Sequence, residues 1–164
     1  MDKKRIIGIM GPGSGATDKD LETAFELGKL LDENDYYVLT GGRASGVMEA
    51  AMKGAKSAGG TTIGILPSEN GEDQSEFVDI PIKTGMGSAR NNINVLTADV
   101  VIGVGIGPGT ASEIALAIKA QKPILLLNQS PESISFFQKF GYEQLSISES
   151  LEEVLGIVDS FKSS

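Results

Sequence analysis

Short apolar segments alternate along the chain with segments whose apolar residues recur at helical spacing. Segment 5–10 (RIIGIM) is a short apolar run, whereas Leu21, Phe25, Gly28 and Leu31 recur every three or four residues. The first pattern is typical of a buried strand and the second of an amphipathic helix. Together these patterns predict strands at 5–10, 36–40, 61–66, 79–83, 99–104, 123–127 and 143–147, and helices at 18–32, 46–58, 88–97, 110–120, 130–140 and 149–161.

This alternation of strand and helix predicts one α/β domain over residues 1–164. Right-handed crossovers place parallel strands side by side, with helices on both faces of the sheet. Segment 99–104 (DVVIGV) is the most continuously apolar run and predicts a strand buried on both faces, whereas Pro81 places its strand at or near an edge. In such sheets, ligands bind at the carboxyl ends of the strands, near the point where the strand order reverses.

Glycine-rich segments follow four of the predicted strands. Glycine lets backbone approach a ligand closely, and the N–H groups of such loops and of helix N-termini bind anions. Two of the three arginines in the chain fall in these segments, and their planar guanidinium groups suit phosphate. The candidate ligand-binding residues are Gly11, Gly13, Ser14, Gly15, Gly41, Gly42, Arg43, Gly46, Arg90, Asn91, Gly107, Gly109, Thr110 and Glu113.

Each segment also has a purely structural interpretation. Loop 11–15 lacks the GK[ST] of a Walker A motif and does not fit GxGxxG with a later acidic residue, so one alternative is a simple tight turn. Arg43 and Arg90 alternatively pair with carboxylates. The last segment predicts a helix starting at Thr110, where Thr110 and Glu113 match a capping box. Glu113 alternatively contacts a ribose or acts as an acid or base.

Composition narrows the possible chemistry. Cysteine and histidine are absent, which excludes disulfides, zinc sites built on thiolate or imidazole, cysteine nucleophiles and histidine-based triads. The net charge of −8 argues against non-specific nucleic-acid binding. No apolar run approaches the ~18 residues of a membrane span. We therefore expect a cytoplasmic protein that binds a small phosphorylated ligand, with no metal site of its own and neither nucleic acid nor membrane as a partner.

Two further features predict how the surface is used. Segment 68–79 contains five carboxylates in twelve residues, so we expect an exposed and mobile loop, with a lid over the ligand as one role. Helices 46–58 and 110–120 carry alanine and glycine on nearly every face. A helix that is apolar all round is buried on more than one side, which predicts that at least one of them packs against a second copy of the chain.

Three motifs resemble, in order, those of the superfamily of lonely-guy and DNA-processing-A proteins, formerly described as lysine decarboxylases. They are GGRASGVM at 41–48, MGSAR at 86–90 and GPGTASE at 107–113, which keeps the GTxxE part of the superfamily's PGGxGTxxE loop. The short acidic form with GPGTxSE looks most similar to the molybdenum cofactor carrier proteins. That resemblance implies a Rossmann-like homodimer or homotetramer that binds and protects the pterin cofactor in a glycine-lined depression.

The alternative within the same superfamily is a lonely-guy phosphoribohydrolase, which cleaves the N-glycosidic bond of nucleoside 5′-monophosphates. The resemblance would then make Arg90 and Glu113 the catalytic residues. Asn91 stands where those hydrolases carry a second basic residue, and this difference favours a carrier of molybdenum cofactor. A regulatory sensor domain is a third hypothesis.

Overall fold

The computed structural model describes residues 3–161 and contains a seven-stranded sheet in the order β4-β3-β2-β1-β5-β6-β7. Every neighbouring pair of strands is parallel, so the strand order reverses between β1 and β5. The strands are β1 (Ile6–Met10), β2 (Tyr37–Thr40), β3 (Thr62–Leu66), β4 (Ile80–Lys83), β5 (Val100–Val104), β6 (Ile124–Leu127) and β7 (Leu145–Ile147). The predicted Rossmann-like α/β fold is confirmed.

Helices cover both faces of this sheet. Apolar residues of α1, α2 and α6 form one buried cluster with side chains of the central strands, and those of α3, α4 and α5 form a second cluster on the opposite face. Among residues 3–161, no helix combines the length and apolar character needed to cross a bilayer. The helices are α1 (Asp18–Glu33), α2 (Gly46–Ser57), α3 (Asn91–Thr97), α4 (Pro108–Lys119), α5 (Pro131–Gln138) and α6 (Val154–Ser160).

The strands at the centre and at the edge differ in burial as the sequence predicts. All five residues of β5 are buried, because the strand has neighbours on both sides and helices on both faces. All four residues of β4 are exposed, and this strand pairs with β3 alone. Pro81 therefore occupies an edge strand, where its missing N–H costs least.

Three helices begin differently from the sequence expectation. Helix α4 begins at Pro108 with Gly107 as its N-cap, so Thr110 lies inside the first turn and the predicted capping box with Glu113 is wrong. Proline is favoured at the first helical position because its fixed φ suits the helix. The segments predicted as helices 88–97 and 149–161 each start with a 3-10 turn, at Gly87–Arg90 and Leu151–Glu153.

Small residues on α2 allow close packing within the chain. A Cβ added to Gly54 would lie 1.9 Å from the carbonyl oxygen of Phe25 on α1, and one added to Gly28 on α1 would lie 2.0 Å from that of Ala51. The two helices therefore meet backbone to backbone. The alanines and glycines of α2 have this intramolecular explanation, so they no longer require a second copy of the chain.

Candidate functional site

A cleft of about 620 Å³ opens at the carboxyl ends of the strands, beside the point where the strand order reverses. Its walls come from segments 11–15 and 106–110. The other residues that line it are Arg43, Met48, Pro67, Gly87, Ser88, Arg90, Asn91 and Glu113. Three glycine-rich segments that are distant in the sequence thus meet at one place, as expected for loops at one edge of a parallel sheet.

Loop 11–15 forms one wall of the cleft and is fixed by packing at its base. A Cβ on Gly11 would lie 2.5 Å from a methyl group of Val47 and 2.6 Å from the carbonyl oxygen of Val104, so a side chain there has no room. The N–H of Val47 donates to the carbonyl oxygen of Pro12 at 3.0 Å. This bond joins the loop to the start of α2. Gly13, Ser14 and Gly15 continue along the wall as predicted.

The start of α4 forms the facing wall. Gly107, Gly109 and Thr110 all line the cleft, and the first N–H groups of a helix have no partner within that helix. The hydroxyl of Thr110 is buried and also has no hydrogen-bond partner in the described structure. An unpaired hydroxyl beside free N–H groups at the positive end of a helix is a suitable place for an anion.

Arg90 is a buried cation in the cleft, with 7% of its surface exposed. Its Nη2 donates to the carbonyl oxygen of Gly41 at 3.3 Å and its Nη1 to Oδ1 of Asn91 at 2.5 Å, while its Nε is buried without a partner. Burial lowers the pKa of the guanidinium, and the positive charge of Arg43 lowers it further, whereas Glu113 opposes this change. The site therefore favours a negative group near Arg90.

Glu113 is a buried carboxyl group on α4. Burial raises its pKa from 4.5 to about 7, although a hydrogen bond from Asn94 and the charge of Arg90 act in the opposite direction. Nδ2 of Asn94, on α3, donates to Oε1 of Glu113 at 2.8 Å, and Oδ1 of Asn94 has no partner. Glu113 therefore changes its charge near neutral pH.

Arg43 pairs with a carboxylate, as one of its two interpretations predicts, and it also lines the cleft, so its contact with a ligand stays a prediction. Its Nε donates to Oδ2 of Asp73 at 2.7 Å, and the N–H of Ala44 donates to the carbonyl oxygen of Asp73 at 2.9 Å. The N–H of Ser75 bonds the carbonyl oxygen of Gly42 in the same way.

Segment 68–79 packs against the rest of the chain more closely than its charge predicts. Ser75 and Val78 are buried, and Lys56 forms an ion pair with Asp79 at 2.9 Å. The expectation that this segment packs poorly is therefore wrong for its second half, because backbone bonds to loop 41–46 and an ion pair hold it in place. Its mobility and its role as a lid stay predictions.

Three predicted site residues lie outside the cleft. Gly41 contacts the guanidinium of Arg90, where a Cβ would come within 2.7 Å of Nη2. Gly42 and Gly46 have positive φ angles of 77° and 53°, and a Cβ on Gly46 would lie 2.2 Å from the carbonyl oxygen of Gly13. These glycines shape loop 41–46 and support Arg90 and loop 11–15, and their direct contact with a ligand stays a prediction.

Two polar residues of the site were missed by sequence reasoning. Asn94 holds Glu113, and Ser112 connects Asn91 to α4 by accepting from Nδ2 of Asn91 at 2.9 Å and donating to the carbonyl oxygen of Gly109 at 2.7 Å. The run of asparagines at 91, 92 and 94 was the available signal, because asparagine is uncommon in the interior of a helix without a polar partner.

Comparison with known proteins places the chain in a family. The family model of the SLOG cluster4 family matches residues 4–155. The solved structure of the molybdenum cofactor binding protein from Rippkaea orientalis is similar, with 52% identity, a TM-score of 0.94 and coverage of 96% of this chain and 97% of that chain. The Moco carrier protein from Chlamydomonas reinhardtii has 48% identity, a TM-score of 0.90 and coverage of 96% and 97%.

An uncharacterized protein of Archaeoglobus fulgidus is 43% identical over 121 residues, which cover 74% of this chain and 78% of that protein. The resemblance drawn from the three sequence motifs is thereby confirmed. The chain belongs to the SLOG cluster4 family.

Proposed function

We propose that the protein binds molybdenum cofactor in the cleft between β1 and β5 and carries it as cargo. The single observation that carries this proposal is the pairing of two anion-binding walls, loop 11–15 and the start of α4, with two arginines in one cleft. Relatives also support this proposal, because the chain is similar over 96% of its length to molybdenum cofactor binding and carrier proteins at 48–52% identity.

The phosphate of the ligand is assigned to the start of α4. Backbone N–H groups of Gly109 and Thr110, the unpaired hydroxyl of Thr110 and the N–H groups of Gly13–Gly15 supply neutral donors. Arg43 supplies a charge from the rim, because Asp73 occupies its Nε and leaves the two terminal nitrogens for the ligand. The remaining polar part of the ligand then faces Arg90, Asn91 and Glu113.

The direct test is mass spectrometry of protein purified without oxygen, which we expect to find pterin and molybdenum in equal amounts. Thr110→Val removes the unpaired hydroxyl with little change in volume. We expect the ligand affinity to fall roughly ten- to hundredfold, since a hydrogen bond to a charged group contributes about 1.5–3 kcal/mol. Lys53→Gln, an exposed residue of α2 outside the cleft, is the matched control. Absence of cofactor after anaerobic purification and after reconstitution would contradict the proposal.

A second candidate, a nucleoside monophosphate phosphoribohydrolase, rests on Glu113. A carboxyl group whose pKa lies at about 7 and which faces a cleft with Arg90 suits acid–base work. The decisive assay is release of free base from adenosine monophosphate. We expect none from the wild type, and turnover that is lost in Glu113→Gln would overturn the carrier assignment.

Assembly into a homodimer or homotetramer in the cytoplasm completes the proposal. Leu96 on α3, Phe136 on α5 and Phe140 just after α5 are more than half exposed, and both helices lie on the same face of the sheet. Exposed apolar side chains of this size favour association. Sedimentation at micromolar protein concentration tests this assembly, and a monomer at that concentration would refute it.

A further inference from the structure

Arg90 and Glu113, which carry opposite charges and both line the cleft, each bond to other residues. Arg90 is held by Asn91 and the carbonyl oxygen of Gly41, and Glu113 is held by Asn94. Within residues 3–161, Arg90 forms no ion pair, and neither does Glu113, although the charge of each acts on the pKa of the other. Both residues line the cleft.

Such an arrangement suits a ligand group that accepts at one end and donates at the other. A guanidinium offers N–H donors and no acceptor, whereas an ionised carboxylate offers acceptors and no donor. Oε1 of Glu113 accepts from Asn94, and Oε2 makes no hydrogen bond within the described part of the chain. A buried ion that is left without its complement is costly, so a ligand that satisfies both groups gains from each.

The 2-amino-4-oxopyrimidine ring of a pterin has this pattern along one edge. Its carbonyl oxygen accepts, and the adjacent ring N–H and exocyclic amino group both donate. We propose that Glu113 is the specificity-determining residue of the cleft and that, with Arg90, it selects a 2-amino-4-oxopyrimidine edge over a 2,4-dioxo edge. This inference rests on the proposed function and names the part of the cargo that the chain recognises.

The ionisation of Glu113 provides an independent signature of this contact. In the free protein burial raises its pKa to about 7, and two N–H donors from a ligand stabilise the ionised form. Binding near pH 6.5 therefore releases a proton from the molecules in which Glu113 is still protonated. The polar residues on the elements around Glu113 are Arg90 on the 3-10 turn Gly87–Arg90, Asn94 on α3, and Thr110 and Ser112 on α4. Loop 11–15 has no titratable side chain, and Arg43, which pairs with Asp73, also lines the cleft.

The experiment compares the fluorescent probe pterin with lumazine, which carries an oxo group in place of the 2-amino group. We expect the wild type to bind pterin roughly tenfold more tightly. Glu113→Gln should remove or reverse this preference, because a glutamine amide donates to the 2-oxo group. Glu26→Gln, an exposed change on α1, should keep it.

Calorimetry in two buffers of different ionisation enthalpy measures the proton released on pterin binding. Equal affinity of the wild type for the two probes, an unchanged preference in Glu113→Gln, or no proton release at pH 6.5 would each overturn the inference. The proposed function fails separately, by the absence of molybdenum cofactor from protein purified without oxygen. A protein that retains the cofactor but does not discriminate between the probes would therefore contradict this inference alone.

Discussion

The buried carboxyl of Glu113 should make the protein less stable as the pH rises through neutrality. Its pKa is about 7 in the folded protein against 4.5 for an ordinary glutamate, so the folded state holds a proton that the unfolded chain has released. The two values differ by about 2.5, and each pKa unit corresponds to about 1.4 kcal/mol. Burial of this group therefore costs about 3 kcal/mol of folding stability above pH 8, where it is ionised in both states. At pH 5 it costs only about 1 kcal/mol, because the folded protein then keeps its proton.

Glu113→Gln removes this cost and keeps the acceptor for Nδ2 of Asn94. We expect the variant to be more stable than the wild type by about 3 kcal/mol at pH 8 and by about 1 kcal/mol at pH 5. The measurement is urea denaturation of ligand-free protein at a series of pH values, with Glu26→Gln on the exposed side of α1 as the control. A variant that is no more stable at pH 8, or whose advantage does not change with pH, would refute the reasoning.

Three further predictions follow from packing and from the acidic segment. Gly28→Ala should destabilise the protein by more than ~3 kcal/mol in chemical denaturation, because the added Cβ would lie 2.0 Å from a backbone oxygen of α2. Gly156→Ala on α6 is the control and should be neutral or stabilising, because the added Cβ meets nothing within 4 Å. Asp79→Asn should lower the free energy of unfolding by about 1–2 kcal/mol, because the carboxylate pairs with Lys56 and accepts from the N–H of Thr62. An unchanged denaturation midpoint would contradict this. Amide exchange should be slow at Ser75 and fast at Glu72, and the reverse order would argue against the anchoring described here.

Much of the fold was predictable because buried strands and amphipathic helices leave different patterns. The convergence of Arg43, Arg90 and Glu113 was also predictable, since each follows or lies close to the carboxyl end of a strand. The start of α4 was missed although Pro108 stands at its first helical position, just as Pro131 does in α5. The apparent match of Thr110 and Glu113 to a capping box obscured it.

Contacts between segments that are distant in the sequence could not be predicted from local sequence patterns. Asn94 on α3 donates a hydrogen bond to Glu113 on α4. Arg43 donates to Asp73, which lies thirty residues later in the sequence. Gly41 and Gly42 have the composition of a ligand-binding loop, but tertiary packing places them behind Arg90 and against β3. Local sequence indicates that a glycine is needed, and it does not indicate whether the glycine faces a ligand or another part of the chain.

The position of the cleft at the reversal of strand order also has a consequence for biosynthesis. One wall, loop 11–15, follows the first strand to be made, and the other wall begins after β5, which is the fifth. A nascent chain therefore has no complete cleft until residue 113 has left the ribosome and β5 has paired with β1. Binding of a ligand in this cleft requires that late step, and its binding energy then stabilises the joined halves against global unfolding. A loaded molecule is consequently one in which the centre of the sheet has already formed.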